Sequence, residues 1–129
     1  MLFRSPGKPY SLSFDEKPKY LYAHIRSDRF SVEVAIDYLR EVINECRELQ
    51  YTRIMIERDV SIMLPAAKNT FVAEQLATMD VEGLRIAVVD PRTENHELNR
   101  FSAAASRGLG IKVRAYSNIP DARRWLLSD

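Results

Sequence analysis

The chain is short of the residues on which several classes of protein depend. It has one cysteine, Cys46, in 129 residues, so no disulfide forms within it and the sequence predicts a reducing, cytoplasmic location. Its four glycines build no phosphate-binding loop. Gly108 and Gly110 follow a helical pattern and precede a strand-like one, the reverse of the order that points helix N–H groups at a phosphate.

The chain also lacks an excess of charge of either sign, and it has no long apolar run. Lys and Arg number 19 and Asp and Glu number 18, so the net charge of +1 gives no global field to attract nucleic acid or an anionic membrane. No run approaches the ~18 apolar residues of a membrane-spanning helix, and the N-terminus lacks the apolar stretch of a signal peptide. We therefore expect no nucleic-acid partner and no membrane insertion.

What the sequence does have is clear hydrophobic periodicity. Residues 10–14 alternate apolar and polar side chains, and residues 20–25 read as a second strand, so the two are predicted to pair as a hairpin. Apolar residues at spacings of three and four predict a helix over 31–49. Further strands are predicted at 53–57, 84–89 and 111–116, and further helices at 69–79, 93–107 and from 118 onward.

This order, β-β-α-β-α-β-α-β-α, predicts an α/β fold. The N-terminal β-hairpin and the βαβ crossovers that follow imply a mixed five-stranded sheet with four helices. Pro6, Gly7 and Pro9 disfavour regular structure, so residues 1–9 are predicted to be a loose lead-in and 10–129 a single domain. The second helix is expected to turn its apolar residues toward the core: Phe71, Val72, Leu76 and Met79. The third helix is expected to bury Leu98, Phe101 and Ala105.

Several motifs, mostly in the C-terminal third, are similar to those of a known family. F-x-x-x-x-x-R-G begins at Phe101 and ends at Arg107-Gly108, IKVRAY follows, and A-x-x-W-L covers 122–126. RIMIERD and RIAVVD, earlier in the chain, add to the pattern. With these motifs, residues 10–129 resemble the SpoIIAA-like, or STAS-like, domains, in particular a branch of small single-domain bacterial proteins. The resemblance implies a SpoIIAA-like fold and a regulatory, non-catalytic role.

The better-known relatives in this family are anti-sigma-factor antagonists, which bind a partner kinase and are switched by phosphorylation of a serine. That serine opens the helix after the mid-chain strand, which places the equivalent position here near Ala66 or Ala67. Neither residue has a hydroxyl, so the family's usual phosphorylatable serine is absent and no functional residue is carried over. Ser61 lies earlier and is the remaining candidate for a phosphoswitch. The broad fold also resembles lipid-carrying CRAL-TRIO domains, which keeps a small-ligand function open.

We find no catalytic or metal-binding constellation in the sequence and expect neither an enzyme nor a cofactor. Cys46 lies on the apolar stripe of its helix, which indicates a buried, inert thiol. The segment 96–100, HELNR, resembles the zinc motif H-E-x-x-H, but Arg100 stands where the second histidine is needed. It is instead expected to be a solvent-facing helix start. His24 has no partner evident in the sequence.

Polar residues follow three of the predicted parallel strands, and ligands of open α/β sheets bind at such carboxyl ends. One of these ends continues into DVSIMLPAAKN (59–69), a loop with core-type side chains. The candidate partner or ligand surface comprises Arg58, Asp59, Ser61, Ile62, Met63, Leu64, Lys68, Asp90, Arg92, Ser117 and Asn118.

Two functions stay open on this evidence. A regulatory module that binds a protein partner or a second copy of itself requires residues 62–64 to form an exposed apolar patch. A protein that binds a small apolar ligand or a lipid requires a pocket beneath the 59–69 loop.

Overall fold

The computed structural model describes residues 7–60 and 62–128 in full and residues 2–4 by their backbone. In this part of the chain six strands lie side by side in sequence order: β1 (Leu2–Arg4), β2 (Ser11–Glu16), β3 (Leu21–Ser27), β4 (Arg53–Val60), β5 (Arg85–Val89) and β6 (Lys112–Tyr116). Strands β1, β2 and β3 are antiparallel neighbours, and β3 to β6 are parallel. The predicted α/β fold, with its N-terminal hairpin and βαβ crossovers, is confirmed.

The edge of the sheet differs from the prediction. Leu2–Arg4, in the segment expected to be a loose lead-in, pairs antiparallel with β2 and adds a sixth strand to the five predicted. Three residues are too few to display the alternation by which strands are recognised. The prediction of a loose lead-in therefore rested on the prolines and the glycine that follow, because these residues disfavour regular structure.

The four predicted helices are present among the described residues: α1 (Val32–Glu48), α2 (Ala66–Leu76), α3 (His96–Gly108, preceded by a 3₁₀ turn at Thr93–Asn95) and α4 (Ile119–Leu126). Ser31 caps α1 by accepting a hydrogen bond from the Val34 N–H at 3.1 Å, and Asn118 caps α4 in the same way. None of these helices combines the length and the apolarity needed to cross a bilayer.

The helices form a layer on each face of the sheet. Strand β4 turns Ile54 and Ile56 toward the larger core, which it shares with α1, α2 and α3, and turns Met55 toward α4 on the opposite face. Each fully buried aliphatic side chain of this kind contributes about 1.5–3 kcal/mol. Because α4 packs on β4, β5 and β6, the central parallel strands are apolar on both faces.

The inner faces of α2 and α3 match the prediction only in part, since Val72 and Leu76 are buried as expected but the two phenylalanines are not. Phe71 and Phe101 are 46% and 44% exposed, whereas Asn69 and Asn99 are buried. A hydrophobic pattern assigns asparagine to solvent, but a buried amide is tolerated when its hydrogen bonds are made. Asn69 donates to the Leu64 carbonyl at 2.8 Å, and Asn99 is bonded within the site described below.

Candidate functional site

The loop between β4 and α2 is split between the core and the surface. Leu64 is 5% exposed and belongs to the main core, Met63 is half-buried, and Ile62 is 64% exposed. The exposed apolar patch expected of residues 62–64 is therefore not formed as predicted, because the loop buries Leu64 in the core and presents only Ile62 fully to solvent. Ser61, the candidate phosphoswitch, lies outside the described residues.

Arg58 occupies a core position, although the sequence suggested a surface one. It follows Ile54 and Ile56 at alternate positions of β4, so its side chain points between the sheet and the helices and is only 7% exposed. One terminal nitrogen, Nη1, donates to Asn99 Oδ1 at 3.4 Å, and the other, Nη2, contacts the Met63 sulfur at 3.6 Å. The guanidinium carbon lies 5.0 Å from the centre of the Phe30 ring.

Asp90 is the buried acid of the site. It follows β5, is 3% exposed, and its Oδ1 accepts a hydrogen bond from the Arg92 backbone N–H at 3.0 Å. Its Oδ2 accepts from the side-chain amides of Asn95 at 3.0 Å and Asn99 at 3.1 Å. Asn99 thereby links the Arg58 guanidinium to the Asp90 carboxylate, so the two buried charges face each other across one amide.

Nearer the surface, Arg92 joins the ends of β4 and β5. It donates to the Val60 carbonyl oxygen and forms an ion pair with Asp59 at 2.6 Å, and Arg26 approaches the same carboxylate at 3.6 Å. These side chains are exposed by about 40% or more, so each pair contributes at most about 1 kcal/mol. They connect the ends of β3, β4 and β5.

A polar cleft of about 750 Å³ opens beside this ion-pair network, at the end of β3 and the start of β2. Its charged lining residues are Lys8, Arg26, Asp28, Arg29, Asp59 and Arg92. Four of the six are cations, and three of the six already belong to the network around Asp59.

A second, smaller cavity lies beneath the loop, between the sheet and α1, α2 and α3. It has a volume of about 50 Å³ and is bordered by Arg58, Tyr38, Leu64, Asn69 and Val72, among others. Burial raises the pKa of Tyr38, and the positive charge of Arg58 opposes that rise. The hydroxyl and the guanidinium therefore share one poorly solvated interior.

The structure brings together only some of the predicted surface. Arg58, Asp59, Met63, Asp90 and Arg92 form one connected network. Three others lie apart from it: Lys68 is exposed in the first turn of α2, and Ser117 and Asn118 lead into α4, which packs on the other face of the sheet.

Sequence analysis missed Asn99, which joins the two halves of the network. It was placed in a solvent-facing helix start, yet it is buried. Asn99, Ala103 and Ser106 recur at spacings of four and three and form the buried stripe of α3. A stripe of small and polar residues at helical spacing is the pattern that would have identified it.

Among the described residues, the hydrogen bonds around His24 define no second site. His24 lies in register between Ser13 and Glu57 on the sheet face that carries α4. Glu57 accepts a hydrogen bond from the Tyr22 hydroxyl, and burial followed by this bond raises the pKa of Tyr22. Among the described residues, no group of three or more His, Cys, Asp or Glu is placed to hold a metal ion.

No protein-family model matches the chain, and a comparison with curated proteins gives no significant match. The geometry above and the resemblance in the sequence are therefore the grounds on which function is inferred.

Proposed function

We propose that this chain is a non-catalytic, cytoplasmic regulatory module that acts by protein–protein contact, the role that its resemblance to STAS-like proteins implies. The observation that carries the proposal is a pair of exposed aromatic rings. Phe71 and Phe101 are both close to half exposed on two helices that contact each other, and grouped apolar surface marks sites of protein contact.

The two rings lie on neighbouring helices. Helices α2 and α3 contact each other, and both run opposite to the parallel strands that they connect. Phe71 is the sixth residue of α2 and Phe101 is the sixth residue of α3. Each is offset by two residues from a buried asparagine, so each projects from the side of its helix that faces away from the core.

The charges beside these rings favour a second copy of the chain as the partner that binds this face. Lys68 and Glu74 are exposed on α2, and Glu97 is exposed on α3, so the face carries charges of both signs. A face of this kind is complementary to itself when a twofold axis brings two copies together. A partner selected by charge would instead favour a face of one sign.

The expected dimer is weak. Two half-exposed phenylalanines supply on the order of 200 Å² of the roughly 800 Å² per partner that a standard interface buries. The remaining area has to come from the charged neighbours and from Ile62, which is exposed in the loop that leads into α2. We therefore expect dimers that dissociate on dilution.

Molar mass measured by light scattering over a range of concentrations tests the proposal. The wild type should approach the mass of a dimer at high concentration, and the double variant Phe71→Lys/Phe101→Lys should stay monomeric. Leu109→Lys is the matched control. Leu109 is 48% exposed, like the two phenylalanines, but it follows the C-terminus of α3 and lies outside the proposed face. Dimerisation that survives the double substitution, or a wild type that stays monomeric at all concentrations, would contradict self-association through this face.

A further inference from the structure

The polar cleft of about 750 Å³ has walls that the fold holds in place. One wall is the segment 7–11, and the other, 26–29, is the end of β3 with the loop that follows it. Ser27 is 5% exposed and ties the walls together, because its hydroxyl donates to the Pro9 carbonyl at 2.9 Å and accepts from the Arg29 N–H at 3.1 Å. The volume of the cleft falls within the range of about 300–1,000 Å³ found for pockets that hold small organic molecules.

The cleft lies at the end of the sheet where ligands bind. Arg26 lies near the end of β3, Asp59 lies near the end of β4, and Arg92 follows β5. These are the carboxyl ends of three neighbouring parallel strands. Because ligands of open α/β sheets bind beyond such ends, the position favours a binding site over an incidental groove.

The charge of the lining favours an anion. Four cationic and two acidic side chains give it a net charge of +2. Asp59 is engaged by Arg92 at 2.6 Å and by Arg26 at 3.6 Å. By contrast, Lys8 and Arg29 are exposed and form no ion pair within residues 7–60 and 62–128. The Arg26 side chain is 74% exposed as well, so three cations remain accessible to a ligand.

The size of this charge favours a phosphate monoester. Near neutral pH such a group carries about −1.5 to −2 charges, which matches the +2 of the lining, whereas a carboxylate carries a single charge. Its oxygens accept hydrogen bonds from more than one cationic side chain at once. A nucleotide base would stack on an exposed ring, but Tyr10, the aromatic residue of the described lining, is only 3% exposed. The side chains of Ser11 and Asp28 instead supply hydrogen-bonding partners for hydroxyl groups.

We propose that this cleft binds a small hydroxylated phosphate monoester of the sugar-phosphate class. Its phosphate is held by Lys8, Arg26 and Arg29, and its hydroxyl groups pair with Ser11 and Asp28. None of the described residues that line the cleft belongs to α2 or α3, so the site is separate from the proposed dimer face and does not depend on it.

Calorimetric titration with glucose 6-phosphate as the probe tests the site. We expect this probe to bind, and its affinity to fall in a second series at higher ionic strength, because the cations that hold it are exposed. Glucose, which lacks the phosphate, should not bind. Glucuronate has one negative charge fewer and sulfate has no hydroxyl groups, so each should bind at least about tenfold more weakly. AMP should bind no more tightly than glucose 6-phosphate, because the cleft offers its base no exposed ring.

Single substitutions distinguish this site from a general attraction of anions to the protein. Lys8→Gln and Arg29→Gln each remove one accessible cation and leave the backbone bond of Arg29 to Ser27 in place. Each should weaken binding about three- to fivefold, while the melting temperature of the free protein stays unchanged. Lys19→Gln, between β2 and β3, and Arg40→Gln, on α1, remove the same charge at exposed positions outside the lining and should bind like the wild type.

The proposal is overturned if glucose 6-phosphate fails to bind the wild type, or if sulfate binds as tightly, since the cleft would then attract anions without selecting an ester. It is equally overturned if either Lys8→Gln or Arg29→Gln binds glucose 6-phosphate as the wild type does. Binding of AMP or of a phosphoserine peptide more than about tenfold tighter than that of glucose 6-phosphate would also contradict it, because the cleft would then recognise a nucleotide or a protein partner.

Discussion

Asn99 donates its side-chain amide to Asp90 at 3.1 Å in a part of the interior where both residues are 5% exposed or less. This bond turns the amide oxygen toward Arg58, from which it accepts a hydrogen bond. Both hydrogen-bonding ends of Asn99 are thus used, and each engages a charged group. One residue of α3 therefore holds together the ends of β4 and β5 on which the candidate site is built.

The first prediction concerns this link. Asn99→Leu keeps the approximate volume but deprives Arg58 of its amide acceptor and Asp90 of one of three donors. Hydrogen bonds to buried charged groups are among the more expensive to lose, so the free energy of unfolding should fall by about 3 kcal/mol. Urea unfolding followed by circular dichroism measures the change.

Two further variants make this result specific. Asn44→Leu, on the exposed side of α1, should change the free energy of unfolding by less than about 0.5 kcal/mol. In the double variant Asn99→Leu/Arg58→Met the unpaired charge is gone, so its loss should be at least about 1 kcal/mol smaller than the sum of the single losses. Strictly additive losses would mean that Asn99 acts by packing and not through the charge of Arg58.

Much of the fold can be predicted from hydrophobic periodicity, because an apolar stripe on a helix or an alternation along a strand indicates which face is buried. The capped, amphipathic α1 and the apolar β5 are examples that the structure confirms. The stripes of α2 and α3 were assigned only in part in this way: Val72 and Leu76 are buried as predicted, but Phe71 and Phe101 are not. There small residues such as Ala73 and Ala103 allow close packing, and bonded asparagines fill the interior while Phe71 and Phe101 remain outside.

The burial of Arg58 was not predicted because β4 is longer than the sequence pattern indicated. The apolar run suggested that β4 ends at residue 57, which places Arg58 in a loop. Pairing with β3 carries the strand on to Val60, opposite Ser27, so the alternation of β4 continues and turns Arg58 inward. Backbone pairing with a neighbouring strand decides this register, and the local sequence does not record it.

The second prediction concerns the end of α1. Gln50 has a φ of 64°, in the left-handed region that favours glycine, and its N–H bonds to the Arg47 carbonyl while the Tyr51 N–H bonds to the Cys46 carbonyl. These bonds close the helix with a Schellman motif. Gln50→Gly removes the strain of the side chain and should raise the free energy of unfolding by about 0.5–1 kcal/mol in a urea titration.

Gln75→Gly is the control for Gln50→Gly. Gln75 lies within α2, where a glycine costs backbone entropy without relieving strain, so the same substitution should lower the free energy of unfolding by about 1 kcal/mol. If both glycine variants were destabilised, the left-handed conformation of Gln50 would not be a source of strain.

The third prediction concerns the thiol of Cys46. Burial raises its pKa from the ordinary value of 9.0 to about 11, although the charge of Arg47 opposes the rise, and the thiol donates to the Tyr51 carbonyl at 3.0 Å. Two pKa units alone reduce the thiolate fraction about 100-fold at pH 8. Native protein should therefore react with a thiol reagent at least 100-fold more slowly than protein unfolded in urea.

The same shift sets the direction of a pH dependence. Folding favours the neutral thiol, so its contribution to stability is complete below pH 9 and is lost as the pH rises through about 11. Tyr10 and Tyr22 act in the same direction, because burial and then hydrogen bonds to Glu41 and Glu57 raise their pKa values. Urea unfolding at pH 8 and at pH 10.5 should show lower stability at the higher pH. Equal labelling of folded and unfolded protein, or a stability that rises over this interval, would mean that these groups are not held neutral by the fold.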